Sequence, residues 1–183
     1  IGADIVEMTG ENRIMAYYGL KLINSSPRTG IKALMLKSGK TGTFSISDVV
    51  FGIAPRINAA GRIEHGKRAV EILIEEDTEK VKILADGIEN YNLHRKELDK
   101  NITEEALDMI DQNKKSTVVF SDDWHKGVVG IVASRLIESH YKPTIVLSEK
   151  DDELTGSARS VKGFDLYNAL LQCEHLLEKF GGH

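Results

Sequence analysis

The chain has 183 residues, 41% of them hydrophobic and 28% charged, with 24 basic against 28 acidic side chains and a net charge of −4. This is the composition of one large globular domain or two small ones, and its acidic balance argues against a generic polyanion binder. A single cysteine, Cys173, excludes a disulfide framework and a thiolate zinc site.

That cysteine usage points to a reducing, cytoplasmic setting. No apolar run approaches ~18 residues and no signal peptide is visible, so neither membrane insertion nor secretion is expected. Ile1 at one end, and His183 after Gly181-Gly182 at the other, read as internal points of a longer protein.

Residues 1 to 40 read as the end of a strand near Ile5 and Val6, a turn at Thr9-Gly10-Glu11-Asn12, and then helix. The helix from Ile14 to Ile23 should stop before Asn24-Ser25-Ser26-Pro27, because the residue before a proline avoids the helical region. A second short helix spans Ile31 to Leu36. Ser47 or Asp48 is the expected cap of the turn that carries Val49, Val50, Phe51 and Ile53 onward.

Next comes Pro55-Arg56-Ile57-Asn58-Ala59-Ala60-Gly61-Arg62. Two guanidiniums, an amide and a glycine share eight residues, a composition unusual for a core or surface helix. Arginine is the planar, bidentate partner of phosphate, and glycine lets a backbone approach a ligand closely. The stretch reads either as a phosphate site or as a buried structural arginine network in a turn. Residues 56 to 68 hold Arg56, Arg62, Lys67 and Arg68 against Glu64 alone, whereas residues 79 to 113 hold nine acids against five bases. A local basic site on an acidic body suits a narrow phosphate track.

An amphipathic helix should follow Gly66 through Ala69, Val70, Leu73 and Ile74, with Asp77 or Thr78 capping the next one. Residues 79 to 113 contain no proline and keep a seven-residue apolar register. Val81, Ile88, Ile102 and Met109 form one seam and Leu84, Tyr91 and Leu98 its neighbour, interrupted by Arg95 and Glu105. Such a period marks a long helix packing on a narrow stripe, either a connector or a self-associating coiled coil.

From residue 114 the pattern is α/β: strand Thr117–Ser121, helix Gly127–His140, strand Pro143–Ser148, a turn at Asp151-Asp152, strand Leu154–Ser160, and a last helix from Gly163-Phe164-Asp165 to Phe180. The expected layout is therefore 1–78, a connector helix 79–113, and 114–183. Asp4 at a strand end is a candidate Mg2+ or Mn2+ ligand, although spacing alone favours a surface or capping role, since no Asp-x-Asp or Asp-His-His accompanies it. His125, in Trp124-His125-Lys126-Gly127 before a helix, is either an anion contact or a cap beside a core tryptophan. Ser157 and Arg159 share one strand face, where they suit a phosphate or simply an exposed edge. Gly-x-x-x-x-Gly-Lys-[Ser/Thr], Gly-x-Ser-x-Gly and His-Glu-x-x-His are absent, which argues against a P-loop NTPase, a serine hydrolase and a zincin.

Taken together these motifs resemble a RecJ catalytic core. Ala3-Asp4-Ile5-Val6, Thr9-Gly10-Glu11-Asn12-Arg13 and the Pro55–Arg62 stretch are similar to the later part of its DHH domain. The run from Trp124 to Arg135, then Gly156-Ser157-Ala158-Arg159-Ser160, Gly163-Phe164-Asp165-Leu166 and Gly181-Gly182-His183, look like its DHH-associated domain. The resemblance implies a two-lobed α/β fold joined by a long helix. It implies a Mn2+- or Mg2+-dependent 5′→3′ exonuclease specific for single-stranded DNA, acting in repair and recombination. Asp4 matches a metal ligand with a catalytic role, and His183 ends a second catalytic motif. Arg56, Asn58, Arg62, His125, Ser157 and Arg159 would contact DNA.

The expected state is a monomer, with a single-strand-binding protein or a helicase as candidate partners. Most metal ligands of the family have no counterpart here, so this piece is expected to be inactive alone, and Glu7 stands where the family pattern has a proline. Two other readings remain: a DHH-family phosphodiesterase of oligonucleotides or cyclic dinucleotides, and a non-catalytic nucleic-acid-binding scaffold.

Overall fold

The structure, a computed structural model, describes residues 1–4, 6–150 and 152–182, with the side chain of Lys150 left outside the description. The chain forms two compact units, Ile1–Arg95 and Lys96–His183. The described residues of the first unit form helices and no strand. Helix α1 spans Gly10–Ser25, α2 Thr29–Lys37 and α3 Ile46–Asp48. A π-helical turn, Val49–Ile53, then runs into α4 (Ala54–Ile63), followed by α5 (Lys67–Ile74). The long helix α6 (Thr78–Asp108) begins in this unit and ends in the second. The expected strand end near Asp4 is absent: Asp4 and Val6 lie in irregular chain, and Ile5 is outside the described residues. A strand needs a neighbour for its ladder groups, and the rest of this unit offers only helices.

The cap of α3 is Ser45 rather than Ser47. Its hydroxyl accepts from the Asp48 amide while Asp48 accepts from the Ser45 amide, a reciprocal capping box. Those bonds, the backbone one first, hold the Asp48 carboxyl below its ordinary pKa. The glycine- and alanine-rich Pro55–Arg62 stretch, expected outside helix, is almost the whole of α4. Pro55 cannot donate and would crowd the carbonyl four residues back, and the wider π turn just before it relieves that conflict.

Leu34, Phe44, Ile53, Ala60, Ile72, Ala85 and Ile88 form the core of this unit. In α5 the fully buried residue is Ile72, while Val70 and Ile74 of the expected apolar face are exposed. Asn24, expected only to stop a helix, pins a loop: its amide donates to the Phe44 carbonyl and its carbonyl oxygen accepts from the Phe44 amide, at 2.9 and 2.8 Å.

Helix α6 has 31 residues, about 46 Å at 1.5 Å per residue. Asp77 caps it, accepting from the Glu79 and Lys80 amides, each at 3.0 Å. Its buried stripe is Val81, Ala85, Ile88, Asn92, Asp99, Ile102 and Ala106. Three members of the expected first seam are there, but Met109 is exposed. Leu84, Tyr91 and Leu98 of the neighbouring seam are half-buried, Leu84 and Tyr91 packing against the core, and beside them the small and polar Ala85, Asn92, Asp99 and Ala106 are buried. The boundary between the two units falls at Arg95, within α6 and within the expected connector 79–113.

In the second unit, β1 (Thr117–Ser121), α7 (Val129–Ser139), β2 (Thr144–Lys150) and β3 (Glu153–Arg159) form a three-stranded sheet in the order β1-β2-β3, with α7 packed on β2 and β3. β1 pairs parallel with β2, and β2 antiparallel with β3, placing Val146 opposite Ser157 and Thr144 opposite Arg159. A crossover helix between parallel neighbours is the standard βαβ solution. Val146, Thr144 and Ser148 are buried beneath α7 together with Val129, Val132, Ala133 and Leu136. Asp165 caps α8 (Leu166–Leu171) by accepting from the Asn168 amide. This helix ends nine residues before Phe180, its expected limit, with only a 3-10 turn at Glu174–Leu176 beyond it. Leu176 and Leu177 are exposed there, so no packed face supports a longer helix.

Candidate nucleic-acid interface

Helical periodicity separates the residues that the sequence puts side by side in α4. Arg56, Ala59 and Ala60 are buried, whereas Asn58, Gly61 and Arg62 are exposed. Asn58 and Arg62, four apart, share the exposed face. Arg56 is 8% exposed, and its guanidinium is committed within the protein. Nε and Nη2 donate to the Glu89 carboxylate, Nη1 to the Gly52 carbonyl and Nη2 to the Lys37 carbonyl. The expected phosphate contact at Arg56 is therefore corrected to a structural ion pair, because breaking a buried pair to free the guanidinium strands Glu89.

The basic character of the segment is also smaller than composition indicates. Lys67 and Arg68 both pair with Glu71, at 3.7 and 3.1 Å. These pairs are exposed, and such pairs are worth roughly 0–1 kcal/mol, so they yield readily to a stronger anion. Arg62 has an interaction of its own.

In the second unit the outcome at Trp124 is the structural one. Its ring is buried and Nε1 donates to Glu105 at 2.8 Å. His125 Nδ1 accepts from the Gly127 amide at 3.0 Å, so this histidine shapes the turn before α7. It is half-buried.

Ser157 and Arg159 are brought together with two residues that the sequence reading did not single out, Gly130 and Ser134 of α7. Arg159 Nε donates to Ser134 Oγ at 3.1 Å, and Nη1 donates to Ser157 Oγ at 2.9 Å and to the Ala158 carbonyl at 2.8 Å. A Cβ on Gly130 would sit 3.1 Å from Ser157 Oγ and 3.3 Å from Arg159 Nη2, so a larger residue there would press on both side chains. At Gly156 the demand is stricter: a Cβ would lie 2.5 Å from the Val146 carbonyl, a backbone clash that only glycine avoids. The Gly-x-x-x-Ser spacing in α7 was the available signal for Gly130 and Ser134, but it gains meaning only once β3 lies against it.

Asp4 is exposed and has an interaction of its own. Among the described residues no group of three or more His, Cys, Asp or Glu side chains is arranged to hold a metal. His183 lies outside the described residues, so its expected catalytic role has no geometry here. No helix among the described residues is long and apolar enough to cross a membrane.

Residues 112–183 match the DHHA1 domain. Over 99% of its length the chain is 40% identical to the single-stranded-DNA-specific exonuclease RecJ of Bacillus subtilis. The chain belongs to the RecJ family. It spans 24% of that relative's length, and 34% of the length of RecJ from Salmonella typhimurium, to which it is 34% identical. Crystal structures of Thermus thermophilus RecJ with Mg2+ and with Mn2+ superpose with a TM-score of 0.89 at 32% identity. They cover 99% of this chain and 28% and 27% of theirs. The mixed α/β architecture with its long helix is that of RecJ.

Proposed function

We propose that this chain is the backbone-holding part of a single-stranded-DNA-specific 5′→3′ exonuclease acting in DNA repair and recombination. The observation that carries the reading is the state of Arg159. It is exposed, yet its guanidinium is held by Ser134, Ser157 and Ala158. A preorganised guanidinium beside a hydroxyl on one strand face is suited to a phosphodiester, which accepts charge-assisted hydrogen bonds. In the first unit Asn58 and Arg62, on the exposed face of α4, supply a second contact surface. His125 contributes at most from the turn before α7, because its Nδ1 is already an acceptor for Gly127.

The described residues do not by themselves fit a two-metal centre, and no metal-dependent step is derived from them. RecJ structures hold Mg2+ or Mn2+. By resemblance, Asp4 is one ligand of such a centre, completed by residues beyond this chain, with His183 nearby. The segment alone is then a binding element without cleavage activity, from a cytoplasmic, monomeric enzyme whose partners are a single-strand-binding protein or a helicase.

The test is degradation of end-labelled single-stranded and duplex DNA, and of a dinucleotide, by the full-length protein carrying this segment with Mn2+ or Mg2+ present. Metal-dependent loss of the single strand from its 5′ end is expected. Cleavage of the dinucleotide alone would establish a small-substrate phosphodiesterase, and binding without any cleavage a scaffold.

A further inference from the structure

We infer that Ser134 is a positioning residue for Arg159, deciding which edge of that guanidinium is offered to a phosphate. The inference rests on the phosphate reading of Arg159 given above.

Ser134 stands on α7 four residues after Gly130, and its hydroxyl donates to the Gly130 carbonyl at 3.1 Å. A serine hydroxyl has one proton, so this back-bond leaves only its lone pairs facing β3. There Oγ accepts from Arg159 Nε at 3.1 Å. The direction of the whole chain of bonds is thereby set: guanidinium to hydroxyl to helix carbonyl.

On the other side Nη1 donates to Ser157 Oγ and to the Ala158 carbonyl, which uses both of its hydrogens. Of the five donors of the arginine, the two on Nη2 remain, and among the described residues they meet no acceptor. Ser157 Oγ accepts from Nη1 and keeps its own proton to give. Nη2 and the Ser157 hydroxyl are thus the two groups presented together, and Gly130 is the residue against which both lie.

Without the Ser134 hydroxyl, Nε loses its acceptor, and the guanidinium is held from its Nη1 side alone, by Ser157 and Ala158, about which it can tilt. The charge stays but its geometry does not. An arginine that must be ordered at the moment of binding loses affinity through the entropy of that ordering.

The experiment measures binding of a hydrolysis-resistant phosphorothioate oligothymidylate to the full-length protein with Mn2+ present, across a series of salt concentrations. Ser134→Ala, Ser134→Thr, Arg159→Ala and the Ser134→Ala/Arg159→Ala double variant are compared, with thermal melting as the control for folding. Ser134→Ala is expected to weaken binding by roughly five- to tenfold, the net scale of one ordinary hydrogen bond, with unchanged melting. Ser134→Thr, which keeps the hydroxyl, restores most of the loss. In the Arg159→Ala background Ser134→Ala has no further effect, a non-additivity that a merely structural serine does not produce.

A full Ser134→Ala loss persisting in that background, or no loss at all in the wild-type background, overturns the positioning role while leaving Arg159 as a phosphate contact. An Arg159→Ala variant with unchanged affinity and salt dependence overturns the phosphate reading itself, and the positioning role with it.

Discussion

Arg56 and Glu89 form a buried ion pair that ties α4 to α6, with side chains only 10% and 19% exposed. Two further Arg56 bonds, to the Gly52 and Lys37 carbonyls, attach the same guanidinium to the π turn and to the end of α2. One side chain thus joins four segments of the helical unit. Arg56→Ala is expected to destabilise the chain by roughly 3–5 kcal/mol, because Glu89 keeps its charge and loses its partner. Arg56→Lys should recover little, since an ammonium cannot reproduce the planar fork. Urea unfolding of the two variants measures both effects, and near-wild-type stability of Arg56→Ala would return Arg56 to the surface.

A second pair does the same for the other unit. Arg135 Nη2 donates at 2.8 Å to Asp99, a carboxylate 1% exposed whose second oxygen, Oδ1, has no partner. Asp99 lies on α6 and Arg135 on α7, next to the serine that holds Arg159. Arg135→Ala leaves a buried charge uncompensated, and a loss of roughly 3 kcal/mol is expected in equilibrium unfolding. Replacing the buried member by an apolar residue together with its half-exposed partner, Asp99→Leu with Arg135→Met, should recover much of it, since the double change leaves no unpaired charge in the interior.

The start of α6 carries a pH dependence. Hydrogen bonding from the Lys80 amide first, then from Glu79, holds the Asp77 carboxyl below its ordinary pKa. A lowered pKa in the folded state means that the charged form stabilises the fold. The contribution is complete above the unfolded value of about 3.9 and is lost as pH falls through the lower folded value. Asp77→Asn keeps an acceptor at the cap but removes the titration. Its melting temperature should therefore fall less steeply than wild type below about pH 4. Parallel melting curves for the two proteins across that range would show that Asp77 contributes nothing through its charge.

The sequence shows some of this directly. β1 and β2 stand out as β-branched runs, and β3 follows as the return strand after an expected turn at Asp151-Asp152, of which Asp151 lies outside the described residues; each strand lies within a few residues of its expected place. The long helix is legible from Val81, Ile88 and Ile102, but not the rest of its buried stripe. Ala85, Asn92, Asp99 and Ala106 give no hydrophobic signal, and their burial depends on what packs over them.

The arginine stretch illustrates the same limit. Its residue types point to phosphate, but the helical phase of α4 divides them, sending Arg56 inward and Asn58 and Arg62 outward. Reading the stretch as a phosphate site or an arginine network in a turn, and its composition as unusual for a helix, concealed that phase. Ser157 and Arg159 are readable from the alternation of a strand. Gly130 and Ser134 become part of the same site only through α7 packing across β3.

The most direct test of the central claim is the salt dependence of single-stranded DNA binding in the full-length protein with and without Arg159. A guanidinium that neutralises one phosphate releases about one counterion, and for a single strand each such contact contributes roughly 0.7 to the log–log slope. Arg159→Ala should weaken binding across all sequences and reduce the magnitude of the slope by roughly that amount. An unchanged slope would contradict the assignment of Arg159 to the DNA backbone.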